Sequence, residues 1–359
     1  MVQNKLLIFA SHPTLFPIPG QDLKVIPSEI DLNAPPPSGG MIIKINYVSY
    51  DPYLRGRMRG PSGSGYIPGF QINEPLYNFA ISTVVSSDSP RFKKGDIVLG
   101  PSNFAEYQVV DKERAALTEQ ERGYDVLENP LGLDPMVYLG PLGMSGLTAY
   151  SSFYEIGKPK KGETILISAA SGAVGQLVGQ LAKREGLTVI GSVGSDEKLK
   201  FITGELGFDK GFNYKKEKPA DALKRILGEL GKEGVEIYYD NVGGEQLDAA
   251  IGALNVKGRI VACGSISQTS KKPEDTYGIK NMPLVVGKRL TVRGFIVFDE
   301  DMGPKYFDEH QKNVAEWIKD GELQVKLSVT EGIDNAAEGL VGMLKGENFG
   351  KAVLKIADI

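Results

Sequence analysis

The 359-residue sequence has one cysteine, Cys263, and two histidines, His12 and His310. A single cysteine excludes an internal disulfide. A structural zinc site needs about four Cys or His ligands, which this chain cannot supply at any useful spacing. A catalytic zinc built on several His or Cys is disfavoured on the same count, so no metal is expected. A Ser–His–Asp triad is disfavoured too, and no G-x-S-x-G is present. There is no basic excess: 41 Lys and Arg stand against 45 Asp and Glu, a net charge of −4. A polyanion binder normally carries the opposite balance, so nucleic acid is not an expected partner. No apolar run approaches the ~18 residues of a membrane span. The stretch Leu6 to Ala10 is too short for a secretory leader, and the ending Ala357-Asp358-Ile359 is no peroxisomal address. A reducing, cytoplasmic setting is the expectation.

What is there divides by texture. Residues 1–135 carry dense proline and glycine, as in Pro35-Pro36-Pro37. Between these lie short apolar runs that read as strands, Met41 to Val48, Ile97 to Leu99 and Ala105 to Val110. Residues 136–325 alternate strand and helix. Strands are expected at Thr164 to Ala169, Leu187 to Val193, Val235 to Val242, Arg259 to Cys263 and Arg289 to Phe298. Helices are expected at Glu197 to Leu206 with Gly207 as its stop, Pro219 to Leu230, Gln246 to Leu254 and Tyr306 to Ile318. Such alternation implies a parallel, doubly wound sheet. Residues 326–359 add a helix, Ala336 to Leu344, and a strand, Lys351 to Ile356, which read as a return to the first domain.

Ala170-Ser171-Gly172-Ala173-Val174-Gly175 follows the first strand of the alternating region. After it, Val174, Leu177, Val178 and Leu181 share one helical face. The turn departs from G-x-G-x-x-G by Ala170 in first place, yet its strand–turn–helix context fits dinucleotide binding. Gly172 lets backbone approach a pyrophosphate, Gly175 lets the helix pack against the sheet, and the helix start offers free N–H groups. The next strand ends Ser192-Val193-Gly194-Ser195, without the carboxylate that NAD enzymes place there. Lys198, just beyond, suits the extra 2′-phosphate of NADP.

The segments resemble the zinc-independent branch of the medium-chain dehydrogenases/reductases, in particular the prostaglandin reductases (leukotriene 12-hydroxydehydrogenases) and alkenal double-bond reductases. The marks are Asp51-Pro52-Tyr53-Leu54-Arg55-Gly56-Arg57-Met58, Leu142 to Tyr150 (LGMSGLTAY), Ala169 to Gly179, Gly194 to Lys198 and Phe212-Asn213-Tyr214-Lys215. Tyr239 to Gly244 (YDNVGG), Cys263 to Gln268 (CGSISQ), Gly294 to Val297 and Leu344 to Lys351 continue the series. The resemblance implies a Rossmann domain (136–325) beside a β-rich GroES-like catalytic domain (1–135, with 326–359 returning to it). It implies NADPH as cofactor and a small enal or enone as substrate, with hydride passing to the β-carbon. It assigns the 2′-phosphate to Lys198 and Tyr214. Met144, Thr148, Gly172, Ala173, Val174, Gly175, Asn241, Cys263, Ser265, Phe295, Ile296, Val297 and Asn348 are the other cofactor-binding positions it implies. A homodimer is expected, with the strand Arg289 to Phe298 extending the sheet.

Charge developing on the substrate oxygen calls for a donor aimed at it. Tyr53 and Thr269 are the side-chain candidates for that catalytic role, and Tyr277 and Phe298 join them as substrate-pocket residues. The family places tyrosine where Thr269 stands, and some relatives carry Tyr or Ser where Phe298 stands, so the pocket departs from the pattern. Protonation of the α-carbon can come from water. His12 and His310 read as surface or capping residues. Arg55, Arg57 and Arg59 read either as a solvated basic edge or as partners of an acidic group. Cys263 reads as a packed thiol. A zinc-free quinone oxidoreductase and an NADPH-binding regulator without turnover are the alternative functions.

Overall fold

The computed structural model describes residues 1–60, 63, 65–118 and 121–359. Two compact units emerge: Met1–Leu139 with Leu327–Ile359, and Gly140–Lys326. Together they make an α/β architecture, one unit β-rich and GroES-like, the other a Rossmann fold.

The first unit is built on a sheet ordered Leu327–Glu331, Lys351–Lys355, Met41–Ser49, Tyr77–Ser87, Ile97–Asn103 and Asp125–Val126, with Tyr107–Val110 also paired to Met41–Ser49. Met41–Ser49 is a near-continuous apolar run with all but Lys44 buried. It lies between neighbours on both sides, which is what such a run predicts. The C-terminal strand pairs antiparallel with it, Leu354 opposite Val48. The strand expected from Ala105 starts at Tyr107. Ala105 instead closes a turn onto Asn103 and makes a single bridge to Leu6. Leu7, Phe9, Ile43, Phe104 and Leu340 are fully buried in the unit's core.

The second unit holds six strands, ordered Lys210–Asn213, Thr188–Val193, Thr164–Ile167, Val235–Asp240, Leu254–Ala262 and Thr291–Gly294. Every neighbouring pair is parallel. In chain order this is 3-2-1-4-5-6, the doubly wound order. All six strands therefore end on one edge of the sheet. Pro219–Leu230 forms the expected helix, with proline in its first turn and Gly231 at φ +63° closing it.

The strand expected over Arg259 to Cys263 spans Leu254–Ala262, taking in the Leu254 expected to end the preceding helix, and two further elements come out differently. The helix expected over 197–206 is an α-helix only at Asp196–Lys200, and Phe201–Glu205 widens into a π turn before Gly207 at φ +72°. The strand expected over Arg289 to Phe298 is confined to Thr291–Gly294. Arg289 lies at φ +51° as the cap of helix Pro283–Lys288. Ile296 N–H donates to Asp299 Oδ2 at 2.9 Å and Asp299 N–H returns to the Ile296 carbonyl at 2.9 Å, so Phe295–Phe298 turns away from the ladder.

Candidate functional site

In the Rossmann unit the residues expected from the sequence to meet a dinucleotide sit where strands stop. Ser168 to Gly172 leave Thr164–Ile167, Gly194 leaves Thr188–Val193, and Tyr214 leaves Lys210–Asn213. Asn241 leaves Val235–Asp240, Cys263 leaves Leu254–Ala262, and Phe295 leaves Thr291–Gly294. With a parallel sheet all of these lie along its C-terminal edge, where open α/β sheets bind ligands.

The glycine turn opens helix Ala173–Arg184. Ala169 sits in the left-handed region at φ +47°, and its carbonyl accepts from Gly172 N–H at 2.9 Å. A Cβ on Gly175 would lie 2.4 Å from the Ala169 oxygen and 2.8 Å from Ala170 Cα, both backbone atoms. No side chain fits there. Gly172 is the N-cap and supplies no side-chain partner to the helix start. The first N–H groups of a helix have no intrahelical acceptor. Gly172, Ala173 and Val174 are half-buried, so this helix start is reachable. The residues fit a pyrophosphate.

Asn241 is tied down at both ends. Its side chain donates to the Ser168 carbonyl at 2.7 Å and its backbone N–H to Ser168 Oγ at 2.9 Å. Asp240, 2% exposed, accepts through Oδ1 from Tyr238 OH and from the N–H groups of Val242 and Gly243. Burial raises its carboxyl above the usual range, and the backbone donors pull it back. Gly243 and Gly244 both take positive φ, and a Cβ on Gly244 would lie 2.4 Å from Gln268 Nε2. Neither Ser168 nor Asp240 was singled out in the sequence. Asp240 lay inside a quoted motif, but its role as a turn anchor needs the parallel register to be seen.

Lys198 is buried, and Ser195 caps its short helix by accepting from Lys198 N–H at 3.2 Å. Asp196 is committed to Asn213 and Lys216. Tyr214 lies against Gly194, where a Cβ would be 2.9 Å from its hydroxyl oxygen, and burial raises its phenol. Cys263 is half-buried, and burial pushes its thiol up to about 12, which keeps it protonated at neutral pH. Ser265 is exposed just beyond it, next to the short helix Ile266–Thr269.

Met144 and Thr148 lie on helix Met144–Ser152, where Thr148 Oγ1 donates to the Met144 carbonyl at 2.7 Å. Thr269 is exposed and its hydroxyl donates to the Ile266 carbonyl at 3.0 Å. The Tyr277 hydroxyl donates to Asp248 Oδ2 at 3.0 Å. Phe295 and Ile296 are half-buried, Val297 is buried and Phe298 is half exposed.

Tyr53 and Asn348 belong to the β-rich unit. Tyr53 opens the helical turn Tyr53–Arg57, is half-buried, and donates its hydroxyl to Asn78 Oδ1. Burial raises its phenol well above the ordinary value. Asn348 donates to the Gly350 carbonyl at 2.8 Å. The arginines that follow Tyr53 are no solvated edge. Arg55 donates to the carbonyls of Leu15 and Pro13. Arg57, 3% exposed, is sandwiched by the rings of Phe70 and Tyr77 at 4.0 and 4.1 Å. Arg59 is half-buried and spends its guanidinium on the carbonyls of Gly63, Gly56 and Ile67. His310 is also not a surface residue. It is fully buried in the Rossmann unit, with Nε2 2.8 Å from the Pro141 carbonyl. His12 is exposed, with Nδ1 3.2 Å from the Met58 carbonyl.

Residues 173–315 match the family described as zinc-binding dehydrogenase, and residues 9–117 the family described as N-terminal domain of oxidoreductase. Among the described residues no group of three or more His, Cys, Asp or Glu stands together as metal ligands would. The chain is 54% identical to the NADP-dependent oxidoreductase RED1 of Cochliobolus heterostrophus, covering 100% of this chain and 99% of that one. It is 39% identical to the NADP-dependent 2-alkenal reductase of Nicotiana tabacum, covering 99% and 98%. The crystal structure of CurA in complex with NADPH from Vibrio vulnificus superposes with a TM-score of 0.85 at 30% identity, covering 99% and 100%. Fold and glycine turn define a two-unit dinucleotide-binding oxidoreductase. The chain belongs to the zinc-independent medium-chain dehydrogenase/reductase family.

Proposed function

We propose that this chain is an NADPH-dependent ene-reductase acting on α,β-unsaturated aldehydes or ketones. The oxidoreductase activity and the NADPH cofactor follow from membership of the family. The choice of conjugated carbon–carbon double bonds rests on one observation above the others: 39% identity, over 99% of the chain, to a 2-alkenal reductase. When bound, NADPH supplies the hydride that adds to the β-carbon.

The chain's own part is to bind, orient and exclude. The start of helix Ala173–Arg184 would hold the pyrophosphate through its N–H groups. Lys198 and Tyr214 would hold the 2′-phosphate. Asn241, fixed by Ser168, offers a rigid backbone edge where the strands end. Met144, Thr148, Cys263, Ser265, Phe295, Ile296, Val297 and Asn348 complete the cofactor set in this reading. Tyr53, Thr269, Tyr277 and Phe298 form the substrate set. The hydroxyl protons of Tyr53, Thr269 and Tyr277 are all committed to acceptors within the chain. The α-carbon proton is therefore assigned to water.

The test is oxidation of NADPH, followed by its absorbance, with a medium-chain 2-alkenal, an aryl enone, a ring enone and a quinone, each repeated with NADH. Turnover of an enal or enone with NADPH preferred is the expected result. Turnover of the quinone alone would move the protein to the quinone-reductase branch. NADPH binding with no turnover across the panel would favour a regulator.

We also propose a cytoplasmic homodimer. Thr291–Gly294 is the edge strand of the Rossmann sheet, and its Val292 is 48% exposed. An open edge is a ready pairing surface. No helix among the described residues is long and apolar enough to cross a membrane. Sedimentation at the monomer mass of 38.8 kDa would overturn the dimer.

A further inference from the structure

Behind Tyr53 runs a line of buried polar groups. Its hydroxyl donates to Asn78 Oδ1. Asn78 donates its amide hydrogens to the Ser49 carbonyl at 2.8 Å and to Asp51 Oδ2 at 2.9 Å. The Ser49 hydroxyl donates to the same Asp51 oxygen. Lys351 Nζ donates to Asp51 Oδ1 at 2.8 Å and to the Tyr50 carbonyl. Lys351 is 1%, Asn78 2%, Ser49 3% and Asp51 4% exposed.

Chemistry fixes the direction of this line. An ammonium has only donors, and the carboxylate it pairs with accepts. A carboxylate and a backbone carbonyl facing Asn78 both require its NH2. Turning the amide over would set its oxygen against two acceptors. Oδ1 therefore faces Tyr53 and can only accept. A phenol has one proton, and here that proton points inward. What remains for a ligand is the phenol oxygen's lone-pair side.

We infer that Lys351, Asp51 and Asn78 are positioning residues that hold Tyr53 with its proton turned inward, so that Tyr53 meets the substrate as a hydrogen-bond acceptor and favours substrates bearing a hydroxyl donor. This rests on the reading that Tyr53 faces the substrate. It also removes Tyr53 as the donor to the developing enolate oxygen, the role expected from the sequence.

The experiment uses the full chain with NADPH and two aryl enones that differ only in a phenolic hydroxyl or its O-methyl ether. Wild type, Tyr53→Phe and Asn78→Leu are compared, with thermal melting of each to confirm folding. For wild type the KM of the hydroxyl compound is expected to be about fivefold lower at similar kcat, the worth of one neutral hydrogen bond. Tyr53→Phe brings the ratio to one. Asn78→Leu frees the phenol proton and brings the ratio towards one by improving the ether. A general structural defect would raise both KM values together and leave their ratio alone. If Tyr53→Phe changes neither KM, the substrate-facing reading falls and this inference with it. If Tyr53→Phe changes KM but the wild type prefers the ether, Tyr53 faces the substrate as a donor and only the inference is overturned. If Asn78→Leu folds and keeps the wild-type ratio, the network does not set the direction. Should Asn78→Leu fail to fold, Tyr53→Phe still decides whether the phenol accepts.

Discussion

At the scale of single residues, we propose that Lys198 carries the cofactor choice. Of the two carboxylates beside it, Asp196 is held by Asn213 and Lys216, and Glu197 is exposed. Lys198 itself is buried at the C-terminal edge of the sheet rather than waving in solvent. A charge-assisted hydrogen bond contributes roughly 1.5–3 kcal/mol, about 10- to 100-fold in affinity. Lys198→Ala is expected to weaken NADPH by that factor and NADH by less than about twofold, read as dissociation constants from the quenching of protein fluorescence. Equal loss for both cofactors would show that Lys198 does not read the 2′-phosphate. Lys351 is a second case. Breaking a buried ion pair by removing one partner costs about 3–5 kcal/mol, so Lys351→Met should lower denaturant stability by that order, whereas Lys5→Met, at an exposed pair with Asp334, should leave it nearly unchanged. The sequence singled out Tyr53, but it showed Asp51 and Lys351 only as letters of two motifs some 300 positions apart. Their meeting is a product of strand pairing between Lys351–Lys355 and Met41–Ser49, and Asn78 has no local signal at all.

Elements were legible where the local pattern and the tertiary outcome agree. Pro219–Leu230 and Ala336–Leu344 carry clear helical patterns, and their bounds came out as expected. The stretch from Arg289 to Phe298 misled because an apolar run has the same periodicity whether it stays in a ladder or turns into a loop. The deciding group, Asp299, lies just past the run and is visible only once its bond to Ile296 N–H is formed. Likewise Arg57 read either as a solvated charge or as a partner of an acidic group because nothing in the sequence places Phe70 and Tyr77 around its guanidinium. The glycine turn is the opposite case, since its function as a close-packed corner is written in residue type. A methyl group on Gly175 would meet backbone that cannot step aside. Gly175→Ala is expected to cost about 1–3 kcal/mol by overpacking and to weaken NADPH by moving the helix start. Gly204→Ala, where a Cβ meets nothing within 4 Å, serves as the control. Comparable melting midpoints for the two variants would contradict the close-packed corner.

For the molecule as a whole, the buried His310 couples stability to pH. Its ring is fully enclosed, and desolvation lowers its basicity to about 4 against an ordinary value of 6.5, although the Pro141 carbonyl favours the charged form. The folded chain therefore keeps His310 neutral at a pH where the unfolded chain has already protonated it. Above the unfolded value neither state binds the proton and the residue's contribution is fully present. As pH falls from 6.5 towards 4 the unfolded state takes up a proton that the folded state refuses, and stability is lost across that window. The loss amounts to roughly 3 kcal/mol at the acid end. Exposed carboxylates held low by partners, such as Glu229 beside Lys210 and Arg225, lose their contribution only at more acid pH, below the ordinary carboxylate range. Between pH 6.5 and 5 a loss of stability on acidification should therefore come from His310, since Asp240, whose buried carboxyl is raised, acts in the opposite direction. Urea unfolding of wild type and His310→Gln at half-unit steps measures it. The variant, with an amide in place of the imidazole, is expected to be less stable at neutral pH from imperfect packing yet nearly flat across the window. If both proteins lost stability in parallel, His310 would take up its proton equally in the folded and unfolded chain, and the assignment of the slope to it would be overturned.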